Sequence, residues 1–293
     1  ISGQDAQDFL SFFKDFPLVN FSPRKYIEGD LYDPTDLIIP SHLYKWDIEE
    51  VLNKCQIANT DTYDPVTAYS ELSLRRYRSE QKCSEEVKMS FELDHIRKSD
   101  EQSFFRVVSI ILRQSLEITG RCCECLSPAF EVYKPASEMV KKYSKSEEGH
   151  FNFVLHSLRS LGLNKEQIDN LPLFEETTIS MEILKKAATE NFLAFACVVA
   201  VFESTGFHEE DPIALLLKQS TRPKSALGLE KHFIINKEEG HAQIGLDFAK
   251  TLGPVSKKTL IHATRLMEII TDAGNDLNKK FARQYNQDTY ARL

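Results

Sequence analysis

The tetrapeptide Glu-Glu-Gly-His occurs twice, at 147–150 and 238–241, and in both places it interrupts the apolar stripe of a predicted helix. A helix turns once in about 3.6 residues, so the first Glu and the His of each copy are expected to share one face. The first stripe is Val140, Tyr143, Glu147, His150, Val154, Leu158 and Leu161, and the second is Leu227, Ile234, Glu238, His241, Phe248 and Leu252. Two helices of this kind that face each other can hold two metal ions.

The rest of the pattern predicts an all-α chain with an irregular N-terminal extension. Residues 1–65 contain five of the eleven prolines among short apolar bursts, which indicates an extension with one or two short helices that packs on the core. Residues 66–293 form one multi-helix bundle domain, without strand-like alternation. Its predicted helices are 66–96, 101–126, 136–162, 178–206, 210–220, 225–252 and 255–288.

Composition excludes several classes of partner. The net charge is −8 with both signs interspersed, which disfavours nucleic acid and leaves no basic stripe for a membrane surface. The longest apolar run, 192–202, is shorter than the roughly 20 residues of a spanning helix. Three of the six cysteines lie at 122, 123 and 125 without a matching cluster elsewhere, so we interpret them as reduced helix residues. These features predict a cytoplasmic protein with a small-molecule partner.

Glu203 is the strongest candidate for a further ligand. It is the first charged residue after the apolar stretch that follows Asn191, and Phe192, Ala196 and Val199 share its face. An ionised carboxylate among such neighbours costs several kcal/mol unless it is paired, protonated or bound to metal. The alternative is a neutral buried Glu.

A fourth helix should supply the remaining carboxylate. Glu117 lies in an apolar part of the 101–126 helix, and Glu124, two turns further on the same face, is the competitor. With Glu117 the ligand order becomes Glu, Glu-x-x-His, Glu, Glu-x-x-His. The predicted ligands are Glu117, Glu147, His150, Glu203, Glu238 and His241. Carboxylates with two imidazoles suit two iron ions, with manganese as the alternative. Tyr143, one turn before Glu147, is a candidate hydrogen-bond donor behind the ligands, or an ordinary core tyrosine.

This ligand order resembles the di-iron carboxylate proteins: ribonucleotide reductase small subunits, acyl-carrier-protein desaturases and ferritin-like aminobenzoate-type N-oxygenases. The segment from His150 to Leu163, the acidic connector and the apolar helix that ends in Val-Phe-Glu203-Ser-Thr-Gly206 look more like the heme-oxygenase-like di-iron oxidases. The resemblance covers roughly residues 100–265. It implies a heme-oxygenase-like bundle, with a ferritin-like bundle as the alternative.

One departure from the resembled enzymes concerns a third histidine. Many of them have a His four residues before the last carboxylate, where this chain has Ile234. His232 is half a turn out of register and would need local unwinding to bind iron. His232 and His156 are otherwise ordinary polar helix residues.

The resemblance implies a non-heme di-iron oxygenase or oxidase. Such enzymes use O2 for N-oxygenation, C–C cleavage or oxidative decarboxylation of an amine, amino acid or fatty acid, and they need an electron donor. One alternative is an iron-binding ferroxidase without an organic substrate, and another is a metal-free helical protein of the same fold. A homodimer is a further expectation, and the first 65 residues could either cover the cavity or form the dimer contact.

Overall fold

The computed structural model describes residues 46–203 and 209–290, and residues 48 onward form one compact unit that is almost entirely helical. The first helices are α1 (Ile48–Cys55), α2 (Pro65–Val87), α3 (Met89–Ser99), α4 (Glu101–Leu126), α5 (Pro128–Val132), α6 (Ser137–Ser146) and α7 (Phe151–Ser160). They are followed by α8 (Lys165–Asp169), α9 (Glu175–Glu190), α10 (Phe192–Phe202), α11 (Pro212–Lys218), α12 (Leu227–Glu238), α13 (His241–Lys250) and α14 (Lys257–Tyr290). Short 3-10 turns, Lys134–Ala136 and Pro223–Ala226, precede α6 and α12. The all-α prediction is confirmed.

Helix α10 lies at the centre of the bundle. All residues from Phe192 to Val199 are buried, as expected of a helix that is apolar all round. It packs against α13, the long α14, α9 and α2. Gly245 of α13 allows the closest approach, because a Cβ there would lie 2.6 Å from the carbonyl oxygen of Ala196. The end of α10 and the start of α13 are thereby held close together.

A second part of the core joins α3, α4, α7, α11 and α12. Helix α4 begins where the Asp100 side chain accepts a hydrogen bond from the backbone N–H of Ser103, and it runs over the predicted range. Phe104 and Phe105 of α4 belong to this cluster together with Leu158 of α7. Helix α12 crosses α7 at Gly228, where a Cβ would collide with the carbonyl oxygen of Phe153. This close crossing brings α12 beside the start of α7.

Two-residue strands form the only sheet among the described residues. Strand β1 (Thr62–Tyr63) pairs antiparallel with β2 (Val255–Ser256), so that Thr62 lies opposite Ser256. The helical periodicity does not predict this pair. Residues 1–45 of the predicted extension lie outside the described residues, and the remainder of it contains α1 and β1.

Four of the predicted helices are each divided into two. Lys88 has a left-handed backbone (φ +48°) between α2 and α3, and Asn191 caps α10 by accepting from the N–H of Ala194. The other two breaks are at the tetrapeptides, where Gly149 has φ +85° and Gly240 has φ +71°. Glycine adopts this conformation without the steric cost that a Cβ would add. The prediction of continuous helices through both Glu-x-x-His motifs is therefore wrong.

The break at Gly240 also changes which residues of α12 face inward. Leu227 and Ile234, predicted on the inward stripe, are 54% and 52% exposed. The buried side chains of α12 are instead those of Leu229, Phe233 and Asn236. A stripe drawn through a continuous helix does not hold on both sides of a turn, because the turn resets the rotation of the second helix.

Within residues 46–203 and 209–290, no helix has both the length and the apolar character needed to cross a bilayer.

Candidate metal centre

Five helix ends meet at a buried cluster of carboxylates and imidazoles. Glu147 follows the last residue of α6, and His150 precedes the first residue of α7. Glu203 caps the C-terminus of α10, and His241 begins α13 directly after Gly240, close to the end of α12. All four side chains are between 3% and 5% exposed. The ligand candidates therefore occupy turns and helix ends, and not the faces of long helices.

The tightest group is formed by Glu147, Glu203 and His241, whose ligand atoms lie within 4.8 Å of one another. Nδ1 of His241 is 3.1 Å from Oε1 of Glu147 and 3.3 Å from Oε2 of Glu203. Two ligand atoms bound to one ion at about 2.0–2.2 Å, with tetrahedral or octahedral angles, are roughly 2.8–3.6 Å apart. Both distances match the spacing of ligands around a common ion.

The second oxygen of Glu147 faces another histidine. Its Oε2 lies 3.2 Å from Nδ1 of His150. The ring of His232 lies edge-on to that of His150, with centroids 4.9 Å apart, and it stacks on Phe153. Glu147 thus lies between two histidines, with Glu203 and His241 on one side and His150, whose ring contacts that of His232, on the other.

The hydrogen bonds around His241 fix which of its nitrogens carries a proton. Nε2 is 3.1 Å from both Oγ of Ser146 and Oε2 of Glu239. The Ser146 hydroxyl donates its hydrogen to the carbonyl oxygen of Tyr143 at 2.7 Å, so towards His241 it can only accept. A carboxylate also only accepts, and Nε2 must therefore be the donor. In the neutral ring the lone pair is then on Nδ1, facing the oxygens of Glu147 and Glu203.

The charges in this cluster favour a positive charge between the oxygens. Burial opposes the charged form of His241, but contacts with Glu147 and Glu203 outweigh it and raise its pKa to about 10. Burial likewise opposes ionisation of Glu147, and contacts with His150 and His241 outweigh it and hold the pKa of the carboxyl below its usual value. Without a metal ion, a proton on Nδ1 therefore supplies the positive charge. Bound metal can replace that proton.

His232 is neutral at pH 7. Burial, reinforced by the neighbouring His150, lowers the pKa of His232 to about 4. Its Nε2 atom is buried and makes no hydrogen bond, which is costly for a nitrogen in a protein interior. Neutral imidazole is the form that binds metal.

The other buried ligand atoms also lack well-aligned hydrogen bonds. Oε1 of Glu147, Nδ1 of His150 and Nδ1 of His241 all lack them, although they lie close to one another. A metal ion bound between these oxygens and nitrogens would satisfy all of them at once. The donor set of oxygens and imidazole nitrogens suits iron or manganese.

Tyr143 supports the ligand Glu203. Its hydroxyl donates to Oε1 of Glu203 at 2.6 Å, which leaves Oε2 directed at His241. Burial, together with the charge of Glu203, raises the pKa of Tyr143 well above its ordinary value, so the phenol remains a donor. The nearby thiol of Cys122 on α4 also has a raised pKa, through burial and the charges of Glu147 and Glu203.

The structure places the other candidate ligands away from the cluster. Glu117 lies within 4 Å of Arg113 and Arg121, and Glu124 pairs with Lys185. Glu238 is exposed on the surface, as is His156. The cluster thus brings together four of the six predicted ligands, Glu147, His150, Glu203 and His241, and His232 lies beside His150. The turn at Glu239 and Gly240 separates His232 on α12 from His241 on α13, so the two residues do not follow one helical register.

Comparison with known proteins places the fold but not the family. No family model matches the chain, and no curated protein matches it. Among solved structures the chain is similar to a domain of unknown function with a heme oxygenase-like fold from Shewanella denitrificans OS217. The TM-score is 0.60 at 12% identity, over 75% of this chain and 94% of that one. The chain therefore has a heme oxygenase-like fold.

Proposed function

We propose that this protein is a non-heme iron oxidase or oxygenase in which Glu147 bridges two metal ions. The observation that carries the proposal is the position of the two oxygens of Glu147. Oε1 lies 3.1 Å from Nδ1 of His241, and Oε2 lies 3.2 Å from Nδ1 of His150. A carboxylate whose two oxygens each face a different imidazole at ligand spacing is suited to bridge two ions.

The ligands divide into two sets that share Glu147. Glu203 and His241 complete the first set, and His150 and His232 complete the second. Iron held by these residues would supply the capacity to activate O2, which amino-acid side chains do not have. The centre contains two carboxylates and three imidazoles, whereas the sequence motif predicts four carboxylates and two imidazoles. Glu117 and Glu238 are not needed for it.

The protein side chains orient and protect this centre. Tyr143 holds Oε1 of Glu203, so that Oε2 is the oxygen available to an ion. The burial of Glu147, His150, Glu203 and His241 keeps bulk water from the ligands, which strengthens electrostatic interactions inside the site. In this proposal O2 is the co-substrate, the substrate is a small molecule, and a separate electron donor is needed.

The substrate class follows only from the resemblance of the sequence to heme-oxygenase-like di-iron oxidases. We propose an amine, an amino acid or a fatty acid. This part of the proposal is tested separately from metal binding, by measuring O2 uptake with each compound class in turn.

Anaerobic titration of the metal-free protein with Fe(II), followed by exposure to O2, tests the metal site. We expect two ions per chain and a visible absorption change on oxygenation. Glu203→Gln should bind one ion fewer and lose the absorption change. If the wild-type protein binds one ion per chain and His232→Gln also binds one, the second set of ligands would be contradicted. Failure to bind iron would contradict the function itself. Iron oxidation without any substrate-dependent O2 uptake would assign a ferroxidase activity in its place.

A further inference from the structure

Glu239 contacts His241 on the side opposite the candidate metal position. Its Oε2 is 3.1 Å from Nε2 of His241, while Nδ1 on the other side of the ring faces Glu147. The Glu239 side chain is 45% exposed and that of His241 is 3% exposed. A surface carboxylate thus contacts the outer nitrogen of a buried ring.

This contact depends on the turn at Gly240. Residues two positions apart on a helix point in different directions and do not meet. Gly240 has φ +71°, and this left-handed residue separates the C-terminal cap of α12 from the first residue of α13. Glu239, at the C-terminal cap of α12, can then reach the first residue of α13.

The two copies of the tetrapeptide therefore use different glutamates. In the first copy the first Glu, Glu147, contacts the His of its own motif, and Glu148 is exposed. In the second copy the second Glu, Glu239, makes this contact, and Glu238 is exposed. The glutamate that contacts the histidine is a candidate ligand in the first copy. In the second copy it supports a candidate ligand.

The geometry points to Glu239 as the positioning residue of the metal centre: it accepts the Nε2–H of His241 and so holds Nδ1 ready to bind an ion. This inference rests on the proposed metal site and assigns a role to a residue that supplies no ligand. Carboxylates that accept the second N–H of a ligating histidine fix the ring orientation and increase its basicity. Ser146 accepts the same N–H but carries no charge.

The test compares Glu239→Ala with Glu238→Ala in the full-length protein. Both residues are glutamates in the same turn, so the two variants lose equal charge near the site, but only Glu239 contacts His241. Fe(II) affinity is measured anaerobically by competition with a chelator. We expect Glu239→Ala to raise the dissociation constant about 10–100-fold, and Glu239→Gln to raise it less, because its amide oxygen still accepts. Glu238→Ala should stay close to the wild-type value.

A second readout separates positioning from a loss of fold. In the Zn(II)-loaded protein, the Nε2 proton of His241 can be followed by NMR, and we expect a slowly exchanging ring signal. It should be lost in Glu239→Ala and retained in Glu238→Ala. Equal weakening in both variants, or weaker binding with the ring signal unchanged, would overturn the role of Glu239. If the wild-type protein binds no metal, the proposed function fails and this inference fails with it.

Discussion

Replacing Glu147 by Gln should abolish the stabilisation that metal gives to the fold. Glu147 lies between the two ligand sets, and its oxygens make the 3.1 and 3.2 Å contacts with His241 and His150. Gln preserves the shape but removes the charge and one oxygen, so both sets are weakened together. Other ligand substitutions affect one set only.

The size of the effect follows from binding linkage. For each ion bound, free metal at a hundred times its dissociation constant stabilises the wild-type fold by about 2.7 kcal/mol. For a unit of this size, each kcal/mol raises the melting temperature by about 2–4 °C, so we expect a rise of about 5–11 °C per ion. If the variant binds about 100-fold more weakly, the same metal concentration stabilises it by about 0.4 kcal/mol per ion, or about 1 °C.

The assay is calorimetry of metal-free protein with and without Mn(II) or anaerobic Fe(II). Glu148→Gln is the matched control, because Glu148 is the exposed neighbour in the same turn and its loss changes the net charge equally. The control should keep the full metal-induced rise. An equal rise in Glu147→Gln and the control would refute the assignment of Glu147 as a shared ligand.

Three further results are expected. Tyr143→Phe should lower the free energy of unfolding by about 1.5–3 kcal/mol in urea denaturation, because a hydrogen bond to a buried carboxylate is lost; an unchanged midpoint would contradict its role in holding Glu203. The metal-free protein should be less stable at high pH, because folding raises the pKa of His241 to about 10. The stabilisation from protonated His241 is complete below the ordinary pKa of 6.5 and is lost as the pH rises through 10. His241→Gln should remove this pH dependence, and a dependence that persists in it would assign the effect to another group. Gly240→Ala should lower the free energy of unfolding, measured by urea denaturation, by about 1–2 kcal/mol, because φ at this position is +71°. Gly253→Ala should lower it less, because Gly253 has open space around it and no positive φ. Equal losses of stability would contradict the strained turn.

The general architecture could be predicted because helix periodicity and capping are local properties. Helix α4 runs from Glu101 to Leu126 as the sequence pattern predicts, with Asp100 as its cap. Glu203 at the end of the buried α10 was also expected inside the core, since an apolar helix leaves no solvated place for it.

The ligand set could not be completed from periodicity, because a helical stripe does not show which partners a carboxylate has. Glu117 lies four residues from both Arg113 and Arg121, and this spacing on a helix provides ion pairs. The apolar neighbours of Glu117 suggest a core position, although the arginine spacing indicates ion pairs. His232 was a less favoured candidate for the opposite reason, because its register relative to His241 changes once the helix is broken at Gly240.

The chain has six cysteines and all of them are free, so no covalent bond joins distant parts of the fold. A bound metal ion would provide such a link. Glu147, Glu203 and His241 come from turns far apart in the sequence, and an ion bound to all three would act as a removable cross-link between them. A chelator would then release these connections together. Metal supply would thereby control how firmly these helices are held together.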